Sequence, residues 1–339
     1  MHLTFSLDFS FSTLVAKSNR KPEGHLRRKT RNLIPMRTSV PGVRLSVLVC
    51  FFTLFSLHSR SQSVGFADGR FEVGLGIGPS FFLGDLGGSK GIGKTFVKDV
   101  DFPLTKLMKG LYINVYPAEW LGFRLAANIG YLEGDDAQAP NKGGAERFRL
   151  YRNLKFKSTL SEAYAAIEIY PTVFFEEYDG LAHKLRPYGI IGAGFFHFNP
   201  KGEYIGSNGN KKWVELKPLR LEGQGMAEYP TRKEYALTQL MIPMGGGFKY
   251  YVNDNMYVGF EILHRKTFTD YIDDVSTKYI DPRHFDTYLS PEQAAWARQL
   301  AYRENLYNPA VSRRFINTQR GDPTENDAYF SGILRMGWR

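Results

Sequence analysis

Phe71–Leu83 reads FEVGLGIGPSFFL, and its spacing decides the fold. Phe71, Val73, Leu75, Ile77 and Phe81 alternate with Glu72, Gly74, Gly76, Gly78 and Ser80, and a period of two over that length is a strand. One face is large and apolar, the other small or charged. That division is odd for a sheet in water but usual where a barrel wall meets lipid outside and a filled lumen inside.

The same alternation recurs along the chain. Leu111, Ile113 and Val115 alternate with Gly110, Tyr112 and Asn114, and residues 117–120 make a tight turn. Leu121, Phe123, Leu125, Ala127, Ile129 and Tyr131 then alternate with Gly122, Arg124, Ala126, Asn128 and Gly130. Residues 155–170 could be helix or strand. Pro171 and the β-branched residues favour strand, with Glu162, Tyr164 and Glu168 inside. Residues 185–198 follow, then a hairpin of residues 236–252 and 256–268 around Asn253-Asp254-Asn255. Residues 328–339 close the chain, with Phe330, Leu334, Met336 and Trp338 against Tyr329, Ser331, Ile333 and Arg335.

Connections between about eight such strands alternate long and short, as an up-and-down barrel with both termini in the periplasm requires. The expected fold is all-β: an eight-stranded antiparallel up-and-down transmembrane β-barrel with long extracellular loops and one short helix in the last loop. A soluble sandwich or lipocalin-like barrel would turn apolar side chains inward. Here the inward set contains Glu72, Asn114, Arg124, Asn128, Glu162, Glu168, Glu261, Arg265 and Arg335, which suits a lumen.

Bulk composition agrees. A mean hydropathy of -0.32 excludes a helical multispanning membrane protein, and 20 Tyr with 26 Phe suit interfacial aromatic girdles. The net charge of +10 points to nucleic acid or acidic membranes until it is located. Residues 1–61 hold ten Lys+Arg against two Asp+Glu, leaving 34 against 32 elsewhere, so the basicity belongs to the leader and no nucleic-acid partner is expected. Residues 1–35 read as a mis-assigned upstream extension and residues 36–61 as a signal peptide, with Arg37 and Arg44 before an apolar run and small residues before a cleavage at Gln62. Residues 62–339 form the mature barrel. The single cysteine, Cys50, lies in the leader, which removes disulfides, thiol nucleophiles and Cys-ligated metals from the mature chain.

Several motifs have a functional and a bland reading. Residues 88–95, GSKGIGKT, match a phosphate-binding loop, but β-branched residues and Pro103 stand where its helix must run. Gly74, Gly76 and Gly78 lack the helix of a dinucleotide site and are read as room for bulky lumen neighbours. Asp270, Asp273, Asp274 and Asp281 lack calcium-loop spacing and are read as a solvated loop. His197, His264 and Ser276 are candidates for a lipid-modifying site, though nothing in their spacing selects them. No cofactor, metal or catalytic residue is assigned. Glu72, Arg124, Glu162, Glu168, Glu261, Arg265 and Arg335 are assigned to a compensated lumen ion network, with Glu72, Arg124, Glu168 and Arg335 at similar depth. With about eight strands, side chains fill the interior and leave no open channel. The helix of residues 290–305, capped by Ser290 with Gln293 completing a capping box, is expected to pack on its own loop. Pro79 removes a ladder hydrogen bond, so a bulge is expected there.

Residues 266–276, KTFTDYIDDVS, and residues 319–323, QRGDP, with NDAYF at 326–330, resemble PorG-like outer-membrane barrels, the family that includes a component of type IX secretion. Residues 71–86 resemble that family's first strand and loop. The likeness marks Asp270, Tyr271, Asp273, Asp274, Arg320, Gly321 and Asp322. It implies a non-enzymatic barrel of the Gram-negative outer membrane that contacts membrane lipid and periplasmic secretion-system components. A small transporter or a lipid-modifying barrel enzyme is the alternative.

Overall fold

The computed structural model describes residues 71–86, 104–139, 146–175, 180–307 and 315–339. The upstream extension, the signal peptide and the GSKGIGKT motif lie outside them. The strands are β1 Phe71–Leu83, β2 Lys106–Ala118, β3 Leu121–Asp135, β4 Lys155–Ile169, β5 Leu185–Ile205, β6 Lys211–Glu215, β7 Thr238–Asn253, β8 Met256–Thr267 and β9 Ala328–Trp338. Pairing runs β4-β3-β2-β1-β9-β8-β7-β5, and β4 pairs β5 to close the ring. The wall is therefore an eight-stranded antiparallel barrel. The short β6 lies outside the ring, paired with the far end of β5.

One end carries tight turns, β2 to β3 at Glu119-Trp120 and β7 to β8 at Asp254-Asn255. The Asp254 carboxylate accepts the Leu181 and Ala182 amides at 2.8 and 3.1 Å, pinning the longer β4–β5 connection to its neighbour. The opposite end carries the long connections. They contain helices α1 Glu146–Arg152, α2 His284–Tyr288, α3 Pro291–Ala301 and α4 Glu304–Tyr307.

Burial is inverted relative to a soluble barrel. Leu75, Leu111, Leu125 and Leu334 are 50–63% exposed on the outer wall, whereas Glu72, Asn114 and Glu261 are fully buried inside. No water-bathed sheet gains from that arrangement, because it exposes the apolar area whose burial drives folding. Lipid restores the gain. Aromatic side chains mark the turn end, with Trp120, Phe174, Phe175, Tyr250 and Trp338 outward. Toward the loop end, Tyr131 and Phe195 are outward, and Phe81 stacks on Phe330 at 4.7 Å.

Three local expectations need correction. Pro79 causes no bulge: β1 keeps one register along β9, and the ladder skips the two pairs around Pro79. The strand of residues 185–198 runs on, since β5 continues to Ile205 and folds back through β6. The helix is shorter than residues 290–305, ending at Ala301, although Ser290 and Gln293 do form the capping box. It packs on its own loop, where Arg298 pairs with Asp286, and also on the β5–β6 hairpin. Gln299 bonds the Ile205 amide and carbonyl at 2.7 and 2.9 Å, and Trp296 meets Tyr204 at 6.4 Å.

Candidate functional site: a charged lumen and a buried cap

Alternation along each strand sends every second side chain inward, and register sets its height. Glu72 pairs with Asn114, and Asn114 with Arg124. Glu168 pairs with Gly122, one step nearer the turn end. Arg124 therefore reaches both Glu168 and Glu261, the latter at 2.6 Å. Arg335 bonds the other oxygen of Glu261. Lys249 lies 2.6 Å from Glu72 and 3.5 Å from Glu168. Three carboxylates thus face three cations, all within 6% exposure. Phenol groups supply further donors beside the Asn114 amide: Tyr116 to Glu72 at 2.6 Å, Tyr251 to Glu72 at 3.1 Å, Tyr170 to Glu168 and Tyr188 to Glu261 at 2.7 Å.

Glu162 and Arg265 belong to a separate pair nearer the loop end, 2.6 Å apart, with Tyr329 and Asn128 donating to Glu162 at 2.7 Å each. Sequence reasoning passed over Lys249, a fully buried member. The signal was present, because Phe248 and Tyr250 face outward and leave Lys249 only the lumen. The aromatic content suits interfacial girdles, but Tyr112, Tyr116, Tyr170, Tyr188, Tyr251 and Tyr257 are buried with the charges. Gly74 is one place where a glycine is required: a Cβ there would collide with the Tyr112 ring.

The loop end is closed by a cap built from four connections. Glu222 is its hub, accepting the Ser276 and Thr277 amides at 3.0 and 2.8 Å, the Thr277 hydroxyl at 2.7 Å and Arg320 at 2.9 Å. Arg152, at the end of α1, pairs with Asp136 at 2.8 Å and donates to the carbonyls of Asp85 and Arg320. Tyr271 stacks on Tyr235 at 4.8 Å, and Phe198 and Phe196 continue the aromatic column into the lumen. Ile272, Val275, Leu132 and Phe156 fill the space around it.

Asp270, Asp273 and Asp274 are therefore not in a solvated loop; all three are buried. Asp273 accepts the Leu86 and Val275 amides at 3.0 and 2.9 Å, Asp274 the Tyr235 hydroxyl at 2.7 Å. Asp281 lies apart, bonded to Arg283. The Asp322 amide donates to Asp85 at 2.8 Å, and Gly321 packs against Asp85 and Ser276. Burial, with Asp273 and Asp85 nearby, pushes Asp270 up to about 9. Burial raises Asp274 to about 7 despite Arg320 and the Tyr235 donor. Asp273 and Asp327 stand well above the usual carboxylate range, through burial first and then neighbouring carboxylates. Among the described residues, no group of three or more His, Asp or Glu is placed to hold a metal ion.

His197, His264 and Ser276 do not converge. His197 is exposed on the outer wall and bonds Thr238 at 3.0 Å, His264 is half-buried on that wall, and Ser276 is buried in the cap.

No protein-family model matches the sequence, and no curated protein matches it. Solved structures similar to the chain include Ail, the attachment invasion locus protein of Yersinia pestis, at 7% identity, covering 79% of this chain and 96% of that one with a TM-score of 0.32. Neisserial surface protein A is 10% identical over 79% of this chain and 96% of that one, TM-score 0.31. Outer membrane protein OprG of Pseudomonas aeruginosa is 10% identical over 80% and 95%, TM-score 0.31.

Proposed function

We propose that the mature chain, residues 62–339, is a non-enzymatic outer-membrane β-barrel of a Gram-negative envelope, exported by the signal peptide of residues 36–61 and acting as a structural or assembly component like the PorG-like component of type IX secretion. The inverted burial carries this reading: a closed wall with apolar residues outward and every lumen charge compensated is stable in lipid and unstable in water. Its first partner is outer-membrane lipid. The turn end, in the periplasm on this reading, offers Trp120 packed on Phe174 at 5.8 Å beside Phe175, on a connection fixed by Asp254. Periplasmic secretion-system components are the partners proposed for that surface. The separation of His197, His264 and Ser276 supports the non-enzymatic reading over a lipid-modifying one.

Affinity pull-down from detergent-solubilised outer membrane tests it. Co-purification of secretion-ring proteins, lost on Trp120→Ala with Phe174→Ala, is the expected result. A barrel recovered alone, with lipid A altered on deletion of the protein, would overturn it.

A further inference from the structure

A pocket of about 570 Å³ opens on the cap, lined among others by Tyr271, Thr277, Gly321, Arg232, Lys233 and Lys278. We propose that this pocket binds a saccharide bearing phosphate or sulfate groups, the cations holding the oxyanions and Tyr271 lying against a sugar face.

The cations are available, while the neighbouring acids are spent. The ammonium groups of Lys233 and Lys278 are exposed and have no hydrogen-bond or ion-pair partner among the described residues. Arg232 is held in place: its Nη1 donates to the Glu222 and Lys278 carbonyls at 2.5 and 2.9 Å, and its guanidinium lies 4.7 Å from the centre of the Tyr229 ring. A planar guanidinium fixed in this way is preorganised for an oxyanion, and two mobile ammonium groups can follow the remaining charge. Glu222 is neutralised by Arg320, Asp85 accepts the Asp322 amide, and Asp322 accepts the Thr324 amide and hydroxyl. Asp274 and Asp270, the other acids near Tyr271, are held toward the neutral form by burial. The base of the pocket is fixed. Lys278 and Gln319 form a β-bridge, and the Arg320 and Gly321 amides both donate to the Thr277 carbonyl, at 2.8 and 3.1 Å.

The full barrel in lipid nanodiscs is titrated with fluorescent dextran sulfate, with neutral dextran of the same length, and with lipopolysaccharide before and after phosphatase treatment. At least one oxyanion-bearing saccharide should bind and its uncharged counterpart should not. Binding of dextran sulfate alone marks an external sulfated polysaccharide as the source, and binding of untreated lipopolysaccharide alone marks the membrane's own phosphates. Lys233→Gln with Lys278→Gln should weaken binding about tenfold or more, while Lys201→Gln with Lys211→Gln, on the β5–β6 hairpin, should change it less than twofold. Equal loss in the two double variants, no loss in the first, or no binding of either charged saccharide at low salt would overturn the proposal. Both double variants change exposed or half-buried side chains, and heat-modifiable electrophoretic mobility checks that each barrel is folded.

Discussion

The lumen network and the cap both bury carboxylates but balance them differently. In the lumen, Glu72, Glu168 and Glu261 face Lys249, Arg124 and Arg335, and phenols satisfy much of the rest. In the cap, Asp85, Asp270, Asp273 and Asp327 crowd one another, and the nearby cation Arg152 is already paired with Asp136. Asp270 Oδ2 and Asp327 Oδ1 are buried and accept no hydrogen bond among the described residues. Equal burial therefore has opposite consequences. A compensated cluster locks the strands together, whereas an uncompensated one keeps its protons and yields when they leave.

Breaking the lumen balance should have the largest effect. Lys249→Met removes the nearer cation of buried Glu72 and leaves only Arg339 at 3.9 Å, and removal of one partner of a buried pair costs about 3–5 kcal/mol. Urea unfolding in lipid should show that loss, with part of it recovered when Glu72→Gln is added. In the cap, Arg320→Met leaves Glu222 with backbone and hydroxyl donors only. A loss of about 1.5–3 kcal/mol is expected for a hydrogen-bonded charge, confined to residues 268–280 and read as lost amide protection there while the barrel's unfolding midpoint holds.

A pH series sharpens the same contrast. Folded-state values of about 7 for Asp274 and about 9 for Asp270 lie above the unfolded carboxylate value of about 3.9. These groups leave cap stability intact at low pH and lower it as pH rises from about 4 through 9, because the open cap releases protons that the closed cap retains. Amide protection factors over residues 268–280 should fall from pH 5 to pH 9, and Asp270→Asn should make the decline shallower. Loss of protection toward low pH would contradict this sign.

Wall strands were legible because a period of two survives any choice of neighbours. Inward charges were legible for the same reason, and register then supplied their height. The cap was not. Asp273, Glu222, Arg152 and Arg320 lie far apart in the chain, and only closure of the ring brings their loops over one mouth. A run such as DYIDDVS reads as hydrophilic loop until the Leu86 and Val275 amides and the Tyr235 hydroxyl that need acceptors are in place. The α3 contact with β5 was hidden likewise, since it depends on β5 projecting beyond the wall and folding back through β6.

Single-channel recording of the folded barrel in a planar bilayer tests the central claim most directly. A lumen crossed by Arg124, Lys249 and their carboxylates, and closed above by the Tyr271–Tyr235–Phe198 column, should give no steady conductance between pH 5 and 7. A large, steady conductance in that range would contradict it.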